Sequence, residues 1–483
     1  MKKKSLTMNA IMSGVRSILS ILFPLITFPY VSRVLQVENL GKYNFANSVC
    51  SYFVLLAGLG ISTYAIREGS KLRENREQIS RFASQMYTIN LASSALSYLA
   101  LVLVVAAVPR FRSYGLLIAI FSIQILFAAI GAEWVFTVFE EFGYITIRGI
   151  AFQVAGLILL FLFVKRPEDY YKYALITVFS SVGANGLNWF RLRRYCDLRL
   201  VRGIQWGRHL KPILIIFATS LATMLYVESD ITILGLLTDD YHVGIYSVSV
   251  KVYKIVKSFL SSALVVSIPR FAHYIGMGET KEYNRLFRSM FHFLLLLVAP
   301  AVTGLICLSR DVVLLISDPS YLPASTSLQI LSAALFVCLF GWLYNACVLI
   351  PQKREKYVMY ATVVSALVNI LFNLILVPLF QENAAAFTTV LAEAVSMVLC
   401  IFYARGLVDL KVNLRSVGSV LVGCAGIVAC CTAARYAIDG FLPRVAVSVF
   451  GSCAVYFLIL ALLKNEMVRD VLQKAAARLR AGG

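Results

Sequence analysis

The chain has 483 residues, of which 59% are hydrophobic and 14% charged, whereas soluble globular domains are nearer ~45–50% apolar and ~25% charged. With a mean hydropathy of +0.78 it is excluded from the soluble class and reads as a polytopic membrane protein, because about 20 apolar residues suffice for one helical crossing. The net charge of +20 would suggest nucleic acid in a soluble protein, but its distribution over the loops points to membrane orientation instead.

The apolar blocks predict an all-α polytopic membrane protein of about 14 transmembrane helices, near 10–33, 41–66, 82–108, 114–139, 145–164, 170–190, 212–236, 243–269, 289–309, 324–350, 357–380, 384–404, 413–434 and 442–463. The opening Met1-Lys-Lys-Lys4 imitates a signal peptide. The run behind it contains Arg16, continues past Tyr30 and has no small-residue cleavage site, so a retained first helix is expected. That helix carries a polar stripe, Ser13, Arg16, Ser17, Ser20, Pro24 and Thr27, and Pro24 and Pro29 bend it because each lacks an N–H. Arg16 lies about 10 Å into the helix at ~1.5 Å per residue. It either snorkels to the headgroups or receives a phosphate, which suits the planar guanidinium fork.

The second span presents a neutral polar face, Asn44, Asn47, Ser48 and Ser51. The seventh carries Ser220, Thr223, Glu228 and Asp230 toward its outer end, and the eleventh carries Thr362, Ser365, Asn369 and Asn373 on one face. The eighth holds Lys251, Lys254 and Lys257, and an ionised group at bilayer depth costs at least ~2.5–3.5 kcal/mol. At about 100° per residue, Ser247, Lys251, Lys254, Ser258 and Ser261 share one narrow arc, with Lys257 at its edge. That pattern fits a helix lining a cavity for something anionic. Lys251 is close enough to the outer end to snorkel, whereas Lys257 is near the centre of the span. Four acids also fall within spans: Glu133, Glu228, Asp230 and Glu393. Each either pairs with a cation inside the bundle or binds H+ or Na+ to drive a cycle.

With the amino terminus inside, 31 of the 45 Lys and Arg lie on the inner side, 10 in outer loops and 4 (Arg16, Lys251, Lys254, Lys257) within spans. This positive-inside asymmetry places both termini in the cytoplasm and argues against a DNA-binding patch. The ten cysteines have no CxxC spacing and the four histidines are scattered, so neither a disulfide framework nor a metal site is expected. No loop exceeds about 20 residues, as the longest is Arg191–Lys211. A soluble catalytic domain has no room, and a membrane polymerase, which needs a long outer loop, is disfavoured.

An internal repeat is visible. Gly41-Lys-Tyr43-Asn-Phe-Ala46 aligns with Gly244-Ile-Tyr246-Ser-Val-Ser249 at an offset of 203, which also carries Arg67 onto Arg270. A spacing of six spans between the matching helices preserves membrane direction, as in transporters built from two parallel six-helix halves. The offset matches Ser48 to Lys251 and Ser51 to Lys254, so two equivalent faces differ in charge. Arg33, Arg67 and Arg270 read as interfacial.

Pro24-Leu-Ile-Thr-Phe-Pro-Tyr-Val-Ser-Arg-Val-Leu35, Leu40-Gly-Lys-Tyr-Asn-Phe-Ala-Asn-Ser48 and Ile66-Arg-Glu68 resemble the opening of the Wzx-type polysaccharide flippases. Asp230-Ile-Thr-Ile-Leu-Gly235, Val243-Gly-Ile-Tyr246, Lys251 and Ile268-Pro-Arg270 form a second similar block. One departure is Gln36, where such proteins usually have a turn glycine after Val-Leu.

The resemblance implies the multidrug/oligosaccharidyl-lipid/polysaccharide exporter superfamily: two six-helix lobes around a central cavity, at 1–210 and 211–405, with two extra helices and a basic tail at 406–483. It also implies a transporter, not an enzyme, moving undecaprenyl-pyrophosphate-linked oligosaccharide (O-antigen, capsule or exopolysaccharide) across a bacterial inner membrane by alternating access. No cofactor is implied beyond H+ or Na+ coupling. The implied partners are the lipid-linked glycan, the bilayer, a polysaccharide polymerase and a chain-length regulator, with no nucleic acid. Arg16, Lys251, Lys254 and Lys257 would hold the pyrophosphate, and Asn44, Asn47, Ser48 and Ser51 the sugar. The prenyl tail would pass through a gap between helices 1 and 8. A lipid II flippase remains open because its cargo also carries pyrophosphate. A drug/cation antiporter of the superfamily is disfavoured by the cationic eighth helix.

Overall fold

A computed structural model of the chain describes residues 6–410, 412–465 and 467–469, without the side chains of residues 6–11, 13, 16–18, 20, 21 and 263. Among the described residues every regular element is helical. In chain order they are α1 (Leu6–Gly58), α2 (Ile61–Gly69), α3 (Arg76–Ala107), α4 (Pro109–Arg112), α5 (Gly115–Gly131), α6 (Glu133–Val138), α7 (Phe142–Phe163), α8 (Tyr170–Val178), α9 (Asn185–Leu192), α10 (Trp206–Leu237), α11 (Asp240–Val265), α12 (Ile268–Gly276), α13 (Thr280–Ile316), α14 (Ala324–Tyr344), α15 (Glu355–Tyr403), α16 (Leu414–Ala437) and α17 (Phe441–Leu462). Single π-helical turns, Phe179–Gly183 and Asn345–Leu349, join α8 to α9 and extend α14.

Nine helical stretches among the described residues are long and apolar enough to cross a membrane. Large apolar side chains such as Ile147, Leu367 and Phe450 are exposed on them, as a hydrocarbon solvent permits. The chain is therefore an all-α, multi-pass membrane protein. The eighth expected span, α11, falls outside these nine because its lysines interrupt the apolar window.

Two stretches are too long for one crossing. α1 has 53 residues and α15 has 49, so each would measure ~75 Å at ~1.5 Å per residue against a hydrocarbon core of ~30 Å. Each is broken at one residue with positive φ, Gln36 (φ 61, ψ 176) and Gln381 (φ 49, ψ −128). α7 runs antiparallel to the segment that follows its loop, since a Cβ on Gly156 would lie 1.8 Å from Ser180 Oγ and one on Gly183 3.0 Å from Phe152 Cε1. Three hydrogen bonds carry the same reversal into α1. Thr146 Oγ1 donates to Met12 O (3.3 Å), Tyr30 OH to Val164 O (2.7 Å) and Tyr43 OH to Thr177 Oγ1 (3.0 Å), each pair 134 residues apart. The two arms of α1 thus run in register with α7 and then α8, and the chain turns between those two helices as well.

That neighbouring turn is pinned by Asp169, which accepts from the backbone N–H groups of Lys165 (2.9 Å) and Arg166 (3.0 Å) and pairs with Lys172 (2.6 Å). Asn39 Nδ2 donates to Pro167 O beside it (2.9 Å). Lys172 first, then the backbone donors, hold the Asp169 carboxyl down to about 2. A depressed carboxyl stabilises the fold above its unfolded pKa, and this contribution is lost only as the pH falls through about 2.

By packing, the chain divides into Met1–Ser247 and Val248–Gly483. The division falls inside α11, whereas the sequence repeat suggests 210/211. The difference has a physical source: α10 lies along the second arm of α1, where Ser48 Oγ and Thr232 Oγ1 are 2.5 Å apart. The N-terminal unit packs Ile61, Tyr64, Phe82, Trp134 and Phe136 into a core. The C-terminal unit does the same with Phe271, Tyr283, Phe287, Leu343 and Tyr344.

The break at Gln36 lies in a region of backbone space essentially reserved for glycine, where another residue stores about 1–3 kcal/mol. Gln36→Gly is expected to raise the thermal unfolding midpoint in detergent. An unchanged or lowered midpoint would contradict this strain.

Candidate functional site: the charged face of α11 and the helix ends around it

α11 begins within the N-terminal unit. Its first turn crosses the second arm of α1 so closely that neither helix tolerates a side chain. A Cβ on Gly41 would lie 1.8 Å from Asp240 O, and one on Gly244 would lie 2.1 Å from Val37 O. Both Val37 and Asp240, and Gly41 and Gly244, are 203 positions apart. The contact is therefore reciprocal, as a local two-fold axis between 37–41 and 240–244 requires, and it supports the repeat read from the sequence. Around it Phe45 fills the space a Gly235 side chain would take, Tyr114 OH donates to Asp240 Oδ1 (2.5 Å), and Arg110 donates to Leu236 O and Thr238 O.

Below this crossing α11 divides its circumference. Val248, Ser249, Val252 and Tyr253 are buried, and Ser249 Oγ donates to Ala324 O of α14 (2.8 Å). Lys251, Lys254, Ser258 and Ser261 lie on the other side, all half-buried. Lys251 and Lys254 both make polar interactions with neighbours.

Lys257 behaves differently. At about 100° per residue it is about 60° from Lys254 but only about 40° from Tyr253, so it leans toward the packed face. Its Nζ lies 3.2 Å from Glu393 Oε1 of α15 and 5.5 Å from the centre of the Tyr253 ring. Tyr253 OH donates to the same carboxylate oxygen (3.4 Å). The structure thus joins a residue expected to bind phosphate to one expected to bind a coupling ion, and each neutralises the other.

The remaining acids are also engaged. Asp230 is buried and accepts from Tyr246 OH (3.1 Å). Glu133 Oε2 lies 2.8 Å from Arg148 Nη2. Glu228 is half-buried on α10 and has a polar partner.

On the second arm of α1, Asn44 Nδ2 donates to Leu40 O (2.9 Å) and Ser51 Oγ to Asn47 O (2.8 Å), within their own helix. Both residues, with Asn47, remain half-buried. Ser48 is buried against Thr232, so it serves helix packing and does not share the open face. Arg16 lies on α1, but its side chain is outside the described residues.

Two polar networks escaped the sequence. Arg148, counted there with an inner loop, is inside α7 with its side chain 5% exposed. It donates to Asn188 Oδ1, and Asn188 Nδ2 donates to Gly131 O (2.6 Å). Its place inside the span expected near 145–164 was the available signal. In the C-terminal unit Asn373 Nδ2 donates to Asn369 Oδ1 (3.1 Å), and Thr388 Oγ1 donates to Asn373 Oδ1 (2.8 Å) across the break of α15. The spacing of Asn369 and Asn373 was legible. Their partner Thr388 was not, since it follows the reversal.

An all-helical, multi-pass chain with a polar, cationic face on one membrane helix has the architecture of a membrane transporter. The polysaccharide biosynthesis protein family model matches residues 6–275, and the MatE family model matches residues 215–375. The chain belongs to the polysaccharide biosynthesis protein family, in agreement with its Wzx-type motifs.

A protein of Escherichia coli K12 named as an O-antigen transporter is 21% identical over 412 residues, 83% of this chain and 97% of that protein. One of Shigella dysenteriae with the same name is 23% identical over 73% of this chain and 88% of its own length. Among solved structures, a lipid II flippase in an inward closed conformation superposes with a TM-score of 0.72 at 15% identity, covering 96% of this chain and all of that one (100%). An inward-facing multidrug transporter gives 0.53 at 14% identity, covering 80% of this chain and 97% of its own. These two likenesses concern the fold.

Removing one member of a buried ion pair strands the other, at a cost of ~3–5 kcal/mol when both are fully buried. The Lys257 side chain is 34% exposed, which reduces this to about 1–3 kcal/mol. Glu393→Ala is expected to lower the unfolding midpoint in detergent, and Lys257→Met/Glu393→Leu to restore most of the loss. A single variant as stable as the parent would contradict the pairing.

Proposed function

We propose that the protein is a flippase that carries undecaprenyl-pyrophosphate-linked oligosaccharide repeat units across the bacterial inner membrane by alternating access, with both termini cytoplasmic. The family match and the O-antigen transporter names of its relatives support a polysaccharide cargo. The observation that carries the reading is the half-buried arc of Lys251 and Lys254 on α11. Two ammonium groups on one face of a membrane helix suit a pyrophosphate, whose charge repays the cost of keeping them at that depth. Arg16, on the first arm of α1, is the third cation in this proposal, and Asn44, Asn47 and Ser51 are the sugar-facing groups. The long prenyl tail stays in lipid.

Lys257 joins the site conditionally, because Glu393 holds it. When the phosphate takes Lys257, Glu393 loses its counter-ion and is left to bind the coupling ion. This makes Glu393 the coupling candidate we favour over Glu133, Glu228 and Asp230. The lobes in this proposal are the repeat halves 1–210 and 211–405, with 406–483 an addition. A polymerase and a chain-length regulator would act on the product. The lipid II reading shares the pyrophosphate chemistry, but the family match and the O-antigen relatives favour an oligosaccharide repeat unit.

The test is translocation of a fluorescent polyprenyl-pyrophosphate oligosaccharide in vesicles containing the purified protein. Lys251→Ala/Lys254→Ala is expected to slow it by about tenfold or more, equivalent to about 1.4 kcal/mol. A double variant as fast as the parent would remove the arc from the mechanism.

A further inference from the structure

At the basic end of the N-terminal unit, the segment 197–201 lies extended along the first turns of α3. Three hydroxyls of α3 hold it. Asp197 N–H donates to Ser80 Oγ (3.1 Å), Arg199 N–H to Ser84 Oγ (3.1 Å) and Val201 N–H to Thr88 Oγ1 (3.2 Å), while Ser84 Oγ donates back to Asp197 O (3.2 Å). The match is geometric, since four helical residues rise ~6 Å and two extended residues span ~6.6 Å. Every second N–H of the segment therefore meets a hydroxyl one turn further along the helix. The segment forms a rail along α3, and residues 197, 199 and 201 all face the groove beside it.

Rail and helix enclose an open groove of about 530 Å³ lined by Arg76, Arg81 and Arg199, with Glu77 and Asp197. Arg76 is committed, lying 3.6 Å from Asp197 and donating to Arg193 O (3.0 Å). Arg81 and Arg199 are exposed, and neither side chain forms an ion pair among the described residues. The alternate residues of the rail face elsewhere. Leu198 packs on the core and Leu200 is 67% exposed, as is Trp206 at the start of α10, at 46%. Exposed apolar residues in the same segment as unpaired guanidiniums make an interfacial composition, as expected at headgroup level.

We propose that this groove binds the phosphate of an anionic phospholipid of the inner leaflet, with Arg81 and Arg199 on the phosphate and the acyl chains in the surrounding bilayer. The site is separate from the cationic arc of α11, and it rests on the orientation given by the loop charges, not on the identity of the cargo. The groove volume suits a glycerophosphate headgroup, and the guanidinium fork matches its oxygens.

The experiment is native mass spectrometry of the full chain in detergent, titrated separately with phosphatidylglycerol, phosphatidylcholine and undecaprenyl pyrophosphate. The parent is expected to retain phosphatidylglycerol in preference to phosphatidylcholine. Arg81→Gln/Arg199→Gln is expected to lose about tenfold of that preference with an unchanged unfolding midpoint. Lys353→Gln/Lys356→Gln, which removes the same charge from another basic loop, is expected to keep it. Three results would overturn the proposal: retention in the groove variant equal to the parent's, an equal loss in the control variant, or a loss confined to undecaprenyl pyrophosphate.

Discussion

A charge at bilayer depth must be paired or wet, and this one constraint organises the molecule. Several of the ionised groups in the helices meet it by pairing: Glu133 with Arg148, Asp311 with Arg444 (2.9 Å) and Lys257 with Glu393. What distinguishes α11 is the concentration of cations on one side of it. Its other side is committed to packing through Val252, Tyr253 and Ser249, which leaves Lys251 and Lys254 on the half-buried arc. The same helix thus anchors itself and displays charge, and Lys257, at the border between the two faces, takes part in both.

Backbone proximity is the complementary device. The reciprocal approach of Gly41 to Asp240 O and of Gly244 to Val37 O joins equivalent helix ends, and it is possible only because both positions lack a side chain. Close approach without side chains is a small-residue helix contact of the kind bilayers favour.

Much of this was legible in the sequence because its physics is local. Hydropathy and loop charge give a polytopic helical bundle, and helical periodicity puts Lys251 and Lys254 on one arc with Lys257 at its edge, although the sequence alone groups all three as phosphate ligands. The departure at Gln36 marked a position wanting glycine, and the structure puts φ 61 there. What was illegible depends on partners distant in sequence. No periodicity links Lys257 to Glu393, 136 residues away, or shows that Ser48 is spent on Thr232, 184 residues away. Turn lengths were also misjudged. Glu38 and Asn39 are polar, so a hydropathy window ends the span before them, yet the helical hydrogen bonds run through them and the reversal needs only Gln36. The span near 114–139 is likewise divided, because α5 ends at Gly131 and Ala132 has φ 37.

The central claim is that the face of α11 bearing Lys251 and Lys254 borders water while the face bearing Val252 and Val256 does not. Single cysteines at 251, 252, 254 and 256, in a background lacking the ten native cysteines, can be timed against a membrane-impermeant thiol reagent in vesicles. The account predicts that positions 251 and 254 react about tenfold or more faster than 252 and 256, the contrast expected between hydrated and packed thiols. Equal reactivity at all four positions, or faster reaction at 252 and 256, would contradict it.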